Sequence, residues 1–356
     1  MNTYLRIMAT FILCIAFGTQ PMASPLFDDE TSLTLTIEAP MRDVIMKRAS
    51  KPVFDTVVRF KDSSGTTIEL HGQLAPRGNA RLEACEFPPL QLILKKSETR
   101  GTVFEGQDDL KIVTQCNTTR DAETWLLQEY GIYRAYNIVT DYSYRVRRLE
   151  VTYLDSTSSR WSRTQPAFFI ESTGELAKRM QLETIRPPAV GPDQFNRAEL
   201  TNNVLFQLLI ANTDFAMKKG PTGEGCCHNG RVLTEPGQQK DWVFVPYDFD
   251  QAGIIKTNYA LPDQRLGIRA VTTRLYRGFC WQSDYLPAAM DRFRELREEI
   301  TTALIPQEVS PTRQKRIKAY IGGFYKIIDD PNEMKKRIAD TCRGPDTYPI
   351  RKTRTS

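Results

Sequence analysis

At 356 residues, with 40% hydrophobic and 26% charged positions, the chain has the composition of a globular protein and room for about two domains. Its 48 basic residues against 43 acidic ones leave a formal charge of +5, too small an excess to mark a nucleic-acid binder. No repeat or low-complexity tract suggests a fibrous or disordered chain.

A single positive charge, Arg6, precedes the apolar residues 7–17, and residues 18–24 are mostly small or turn-forming. That order predicts a secretory signal peptide over residues 1–23, too short for a membrane anchor. No later segment is apolar enough to span a bilayer, so the expected product is exported, periplasmic or extracellular, and not membrane-spanning. Alternation of Leu33, Leu35 and Ile37, and again over residues 53–60 and 68–74, predicts strands joined by turns such as Ser63-Ser64-Gly65. Residues 90–94 and 110–113 continue the sheet. Residues 121–139 change to a helical period, with Trp125, Leu126, Tyr130 and Tyr133 along one face. Strands resume at 145–154 and 167–171.

Beyond the prolines at 187, 188 and 192, residues 196–211 read as a buried amphipathic helix. Further helices are expected at 287–304, 311–328 and 331–340, each with proline at or near its start. The fold class expected from this order is α+β. A β-rich part with one helix spans residues 24–186, a mainly helical part spans 193–356, and a ligand cleft lies between them.

Apart from Cys14, the cysteines are Cys85, Cys116, Cys226, Cys227, Cys280 and Cys342. An even six in an exported chain predicts up to three disulfides. Cys85 with Cys116 is the preferred local pair, leaving Cys226 and Cys227 to tie to Cys280 and Cys342. A zinc site is the weaker alternative, because there is no CxxC spacing and the only histidines are His71 and His228.

The chemistry-bearing residues cluster between 212 and 250. An apolar run ends in Asn212-Thr213-Asp214, a glycine-rich loop leads to Cys226-Cys227-His228-Asn229, and a second apolar run delivers Pro246-Tyr247-Asp248-Phe249-Asp250. Acids and carboxamides at the ends of hydrophobic segments suit a hard cation such as Mg²⁺. Asp214 reads as a base for an attacking hydroxyl, or as a plain helix C-terminal turn. Asn229 can give a cation a neutral oxygen, or form a hairpin turn with Gly230. Asp248 and Asp250, one residue apart on a strand, point to one side with Phe249 on the other, and carboxylates so close repel unless a cation shares them. Upstream, Arg77-Gly78-Asn79-Ala80-Arg81 can clamp phosphate oxygens, or form an Arg-rich β-turn. Lys111 can reach a phosphate with Glu129 or Glu123 orienting it, or face solvent from an edge strand.

Taken in order, RGNAR, FEG…LKIV, FFIE, ANTD, HN and PYDFD resemble the motifs of the CotH family of spore-coat-type atypical protein kinases, over about residues 70–255. The later half also resembles HipA-type kinases. The resemblance implies a two-lobed, protein-kinase-like fold that binds ATP and Mg²⁺ and phosphorylates a Ser or Thr hydroxyl of a protein in the cell envelope or outside the cell. It implies Asp214 as the catalytic base and Asn229 and Asp248 as metal ligands supported by Asp250. Arg77, Gly78, Asn79 and Arg81 are implied to face the phosphates, with Glu171 near the nucleotide hinge. Where CotH sequences usually carry strand lysines this chain has Gln91 and Ile93, leaving Lys111 as the phosphate lysine. A catalytically inactive binding module and a metal-dependent phosphate-ester hydrolase are the alternatives.

Overall fold

Alternating apolar residues decide the first half, but they build a closed surface. The computed structural model describes residues 25–223 and 225–344; the expected signal peptide lies outside them. In chain order the first elements are α1 (Pro25–Asp28), β1 (Leu33–Ala39), α2 (Met41–Met46), β2 (Phe54–Lys61), β3 (Thr67–Pro76) and α3 (Ala80–Ala84). They are followed by β4 (Leu90–Leu94), β5 (Asp109–Thr114), α4 (Arg120–Val139), β6 (Val146–Asp155), β7 (Ser162–Ile170) and α5 (Thr173–Arg179). The seven strands form a closed barrel in the order β1-β2-β3-β4-β5-β7-β6, with β1 pairing in parallel with β6 to complete it. Closure leaves no strand edge open, which removes a template for edge-to-edge association. One side of each strand fills the interior: Leu35, Ile37, Val58, Leu74, Leu92, Ile112, Val151 and Phe169 are all fully buried there.

The same alternation sends Val113, Val146, Phe168 and Ile170 outward, where they join the core that surrounds α4. That core takes in most of the second half: β8 (Glu183–Ile185), α6 (Arg197–Ile210), β9 (Gly230–Thr234), β10 (Val243–Pro246), α7 (Leu286–Glu295), α8 (Arg297–Leu304), α9 (Pro311–Asp329) and α10 (Pro331–Arg337). Strands β8, β9 and β10 form a second, antiparallel sheet in the order β10-β9-β8. The helix expected at 287–304 is two, α7 and α8, separated at Leu296. Helix α4 lies against α8 so closely that a Cβ on Gly131 would meet the Ala303 carbonyl oxygen at 2.4 Å.

The two-lobed, kinase-like fold expected above is therefore corrected. The β-rich half is a closed seven-stranded barrel instead of an open sheet, and the second half carries a sheet of its own. Side-chain alternation is identical for open and closed sheets, so nothing local in the sequence announces the β1–β6 pairing that closes the ring.

Among the described residues no helix is long and apolar enough to cross a membrane. Three disulfides join them. Cys85–Cys116 forms as expected, with Cα atoms 4.7 Å apart. The remaining pairing is corrected: Cys226 bonds its neighbour Cys227, and Cys280 bonds Cys342. A bridge between Phe279 and Arg343 brings Cys280 and Cys342 within 4.9 Å, a juxtaposition that spacing along the chain cannot reveal. Closing the 62-residue separation between them contributes about 4 kcal/mol on chain-entropy grounds.

Candidate active site outside the barrel wall

The candidate site lies against the outer face of β5 and β7, under α4 and the loop that follows β10. Alternation along β5 turns Leu110 and Ile112 into the barrel and leaves Lys111 and Val113 on the outside. Two connected hollows meet there. The inner one, about 90 Å³, is lined by residues 77–81, Lys111, Glu129, Tyr133, Tyr247, Asp248 and Asp250. The outer one, about 590 Å³, takes in Asp214, Cys226, Cys227, His228, Asn229, Arg186 and Arg231. Residues 77–80, Tyr247, Asp248 and Gln251 line both. An outer volume of this size is in the range of small-molecule sites.

One wall is cationic. The chain leaves β3 at Pro76, the Arg77 N–H donates to the Pro89 carbonyl at 2.9 Å, and Gly78 takes the left-handed φ of 90° that favours glycine. Asn79 accepts a hydrogen bond from Lys51 Nζ at 3.1 Å. Lys111 Nζ lies 5.7 Å from the centre of the Tyr247 ring, and the Arg231 guanidinium lies 4.6 Å from the same ring. Among the described residues no acid forms an ion pair with Arg77, Lys111 or Arg231. Burial, then the charges of Arg77 and Arg231, push Lys111 down to about 8. Lys111 is thus charged below that pH and neutral above it. We expect the affinity for pyrophosphate to fall as pH rises from 7 to 9, by up to roughly tenfold, since about a tenth of the lysine stays charged one unit above its midpoint. Calorimetry at the two pH values checks this: Lys111→Met binds more weakly at pH 7 and loses the slope.

Arg81 has a different role from Arg77. Its guanidinium donates to Glu129 at 3.0 Å and to the Thr114 carbonyl at 3.0 Å, joining α3 to β5 and α4. Burial opposes its charge, but Tyr259, Glu129, Asp250 and Asp248 more than offset that and hold it protonated. Glu129 is therefore committed to Arg81 and does not orient Lys111, as the sequence had allowed. Burial pushes the Glu129 carboxyl up, and Arg81 opposes the shift.

The other wall is acidic and is built on strained backbone. Helix α6 ends at Ala211, φ 51°, and Asn212 Oδ1 accepts the Asp214 N–H at 3.0 Å. Asp214 Oδ1 lies 3.0 Å from His228 Nε2, while Oδ2 accepts from Asn229 at 2.9 Å and from Gln251 at 2.8 Å. Asn229 also donates to the Asp214 carbonyl at 2.7 Å, which turns its own Oδ1 away from Asp214. Asp248 has φ 63° and donates its N–H to the Tyr133 hydroxyl at 2.9 Å. Asn229 (φ 48°) and Asp248 are non-glycine residues in the left-handed region that line the hollows, while the left-handed Ala211 ends α6 in the usual way. Such conformations cost on the order of 1–3 kcal/mol each and cluster where a site demands them.

Asp248 and Asp250 both face the inner hollow, and Phe249 is buried against Tyr133 and Phe206 with ring centres 4.9 and 6.2 Å away. The reason differs from the expected one: β10 stops at Pro246, so a left-handed turn places the two acids, not strand alternation. Asp250 is buried, and that burial, followed by the charge of Asp248, raises its carboxyl well above the usual range.

Of the predicted site residues, Arg77, Gly78, Asn79, Arg81, Lys111, Asp214, Asn229, Asp248 and Asp250 come together on these connected hollows. Glu171 does not. Its carboxylate accepts from Arg179 Nε and Nη2, both at 3.0 Å, and from the Arg145 N–H at 3.0 Å, so only its neighbour Ile170 reaches the cavity. Tyr133, Arg231, Tyr247 and Gln251 were not expected. Tyr247 sits within PYDFD and Arg231 two residues after Asn229, but no spacing rule assigns an aromatic ring held between two cations.

Carboxylate and carboxamide oxygens are the donor type a hard cation takes. Asp248, Asp250 and Glu129 surround the Arg81 guanidinium, and burial, then the charge of Asp248, raises the Asp250 carboxyl. Among the described residues no three His, Cys, Asp or Glu groups gather at ion-holding distance. Asp248, Asp250 and the Asn229 carboxamide would therefore hold Mg²⁺ only with further oxygens from phosphate and water, its usual habit. No known protein family, curated protein or solved structure matches the chain.

Proposed function

We propose that this protein is a phosphotransferase that takes a phosphate-bearing ligand and Mg²⁺ into the cavity outside the barrel and passes a phosphoryl group to a hydroxyl. One observation carries this reading: Lys111 and Arg231 lie against the Tyr247 ring and Arg77 lines the same connected hollows, none of the three in an ion pair among the described residues, while Asp248, Asp250 and Asp214 line those hollows too. Cations alone suit an anion store and acids alone suit a metal store. Side by side they suit phosphoryl transfer, in which positioning and charge neutralisation supply most of the rate. In its finer form, carried by the resemblance to CotH-type kinases, the donor is Mg²⁺-ATP and the acceptor a protein Ser or Thr in the envelope or outside the cell.

Bound Mg²⁺ would supply Lewis-acid neutralisation of charge on the transferred group. The chain's own groups do the remainder. Arg77, Lys111 and Arg231 bind and orient phosphate oxygens. Asp214, aligned by His228, Asn229 and Gln251, accepts the proton of the attacking hydroxyl at its carboxylate. Gln251 ties that base to the loop bearing Asp248 and Asp250, so both halves of the chemistry shift together.

The test is to incubate the oxidised protein with γ-labelled ATP and Mg²⁺. Label on Ser or Thr of the protein or an added acceptor, lost in Asp214→Asn, is the expected result. Release of labelled free phosphate with no labelled protein would replace transfer by hydrolysis, and absence of both would defeat the reading.

A further inference from the structure

We infer that the disulfide between Cys226 and Cys227 helps to position Asp214 through His228 and Asn229, so that phosphoryl transfer responds to the redox state of this bond. The inference rests on the reading of Asp214 as proton acceptor given above. Both cysteines line the outer hollow and are 7% and 8% exposed. They directly precede His228 and Asn229, two of the three side chains that hold the Asp214 carboxylate.

The strip carrying these residues is held by backbone hydrogen bonds from the Gly220 N–H to the Gly225 carbonyl at 2.7 Å, from the Val190 N–H to the Lys218 carbonyl at 2.9 Å and from the Tyr247 N–H to the Asn229 carbonyl at 3.1 Å, and the disulfide adds a covalent restraint beside them. Ala216 and His228 exchange both backbone hydrogen bonds at 3.1 Å, and the Cys226 N–H donates to the Pro187 carbonyl at 2.8 Å. Both sulfurs lie against the Met217 carbonyl oxygen, at 3.2 and 3.4 Å. Upstream, Gly220 packs against the Gly225 carbonyl, and Gly223 and Gly225 take left-handed φ of 88° and 72°. A covalent link between adjacent side chains confines their torsions together with the peptide between them. Freeing those torsions next to His228 restores conformational entropy that the Asp214 hydrogen bonds must then overcome. A dithiol reductant entering the outer hollow that both cysteines line would do this. Two electrons and two protons pass to the sulfurs, the S–S bond becomes two thiols, and the reductant closes to its own disulfide.

The other disulfides lie elsewhere. Cys85–Cys116 is buried beneath Ala122, and Cys280–Cys342 joins the segments around Phe279 and Arg343. The experiment compares oxidised wild type, Cys226→Ser/Cys227→Ser and Cys280→Ser/Cys342→Ser by the ring NMR resonances of His228 and by labelled-phosphate transfer. His228 is one of only two histidines, and His71 serves as the internal reference. In Cys226→Ser/Cys227→Ser the His228 resonances are expected to shift while those of His71 stay, and transfer to fall about ten- to a hundredfold, the scale of a misplaced reacting group. Dithiol treatment of wild type should reproduce the shift and reoxidation reverse it, which covers the case in which the variant fails to fold. Cys280→Ser/Cys342→Ser should lower the melting temperature and leave His228 in place.

Unchanged His228 resonances, or undiminished transfer, in the folded Cys226→Ser/Cys227→Ser protein would overturn the inference. If wild type transfers no phosphate the resonances decide alone: a shift upholds the positioning of Asp214 while the phosphotransferase reading falls, and no shift ends both.

Discussion

Arg81→Met is expected to cost about 3–5 kcal/mol of stability, the scale for removing one partner of a buried ion pair. Glu129 has 4% of its side chain exposed and its carboxylate oxygen lies 3.0 Å from Arg81, so the variant leaves a carboxylate facing the protein interior. Asp250 and Asp248 lose the same counter-charge. The cost should depend on pH, with a definite sign. Burial already raises Glu129 above its ordinary 4.5, and without Arg81 the shift grows. A carboxyl whose pKa is higher in the folded than in the unfolded state is penalised increasingly as pH rises above its unfolded value. Urea denaturation should therefore show a larger deficit at pH 8 than at pH 5. Arg81→Met/Glu129→Gln should recover most of it, because the stranded charge is gone. A deficit below about 1 kcal/mol, or one that is flat with pH, would show that this pair does not hold α3, β5 and α4 together.

The second large effect separates the two walls of the cavity. Asp248→Asn keeps the shape of the side chain, tolerates the left-handed backbone at φ 63°, and removes one negative charge. Affinity for Mg²⁺-ATP should drop at least about 10- to 100-fold, the loss known for mere supporting residues of metal sites. Pyrophosphate without metal should bind within a few-fold of wild type or slightly better, since Arg77, Lys111 and Arg231 remain and a repelling charge has gone. Calorimetry with and without Mg²⁺ distinguishes these. An unchanged Mg²⁺-ATP affinity would remove Asp248 from the metal site and with it the phosphotransferase reading.

Much of the site was readable before the fold was. The glycine of RGNAR, the carboxamide-acid turn after α6, and the two acids flanking Phe249 were legible as candidates from neighbouring residues, and all line the candidate hollows. Glu171 stays out of the cavity because its carboxylate is bound by Arg179, eight residues on at the far end of α5, a contact that motif comparison does not weigh. Arg231 was passed over because its importance comes from stacking on Tyr247, sixteen positions away. Vicinal pairing of Cys226 with Cys227 escaped for the opposite reason: adjacent cysteines were assigned distant partners, when the local bond was the one formed.

Local rules therefore determined which residues face inward on each strand, where α4 and α6 begin and end, and which side chains carry charge beside apolar runs. These depend on periods of two and 3.6 residues and on caps, all of which act over a few positions. Tertiary structure alone decided that seven strands close through β1 and β6, that Cys280 meets Cys342, and that Lys111, Arg231 and Asp248 line two connected hollows. Such pairings join residues tens to more than a hundred positions apart, and what selects them is complementary burial and charge in three dimensions, which has no period along the chain.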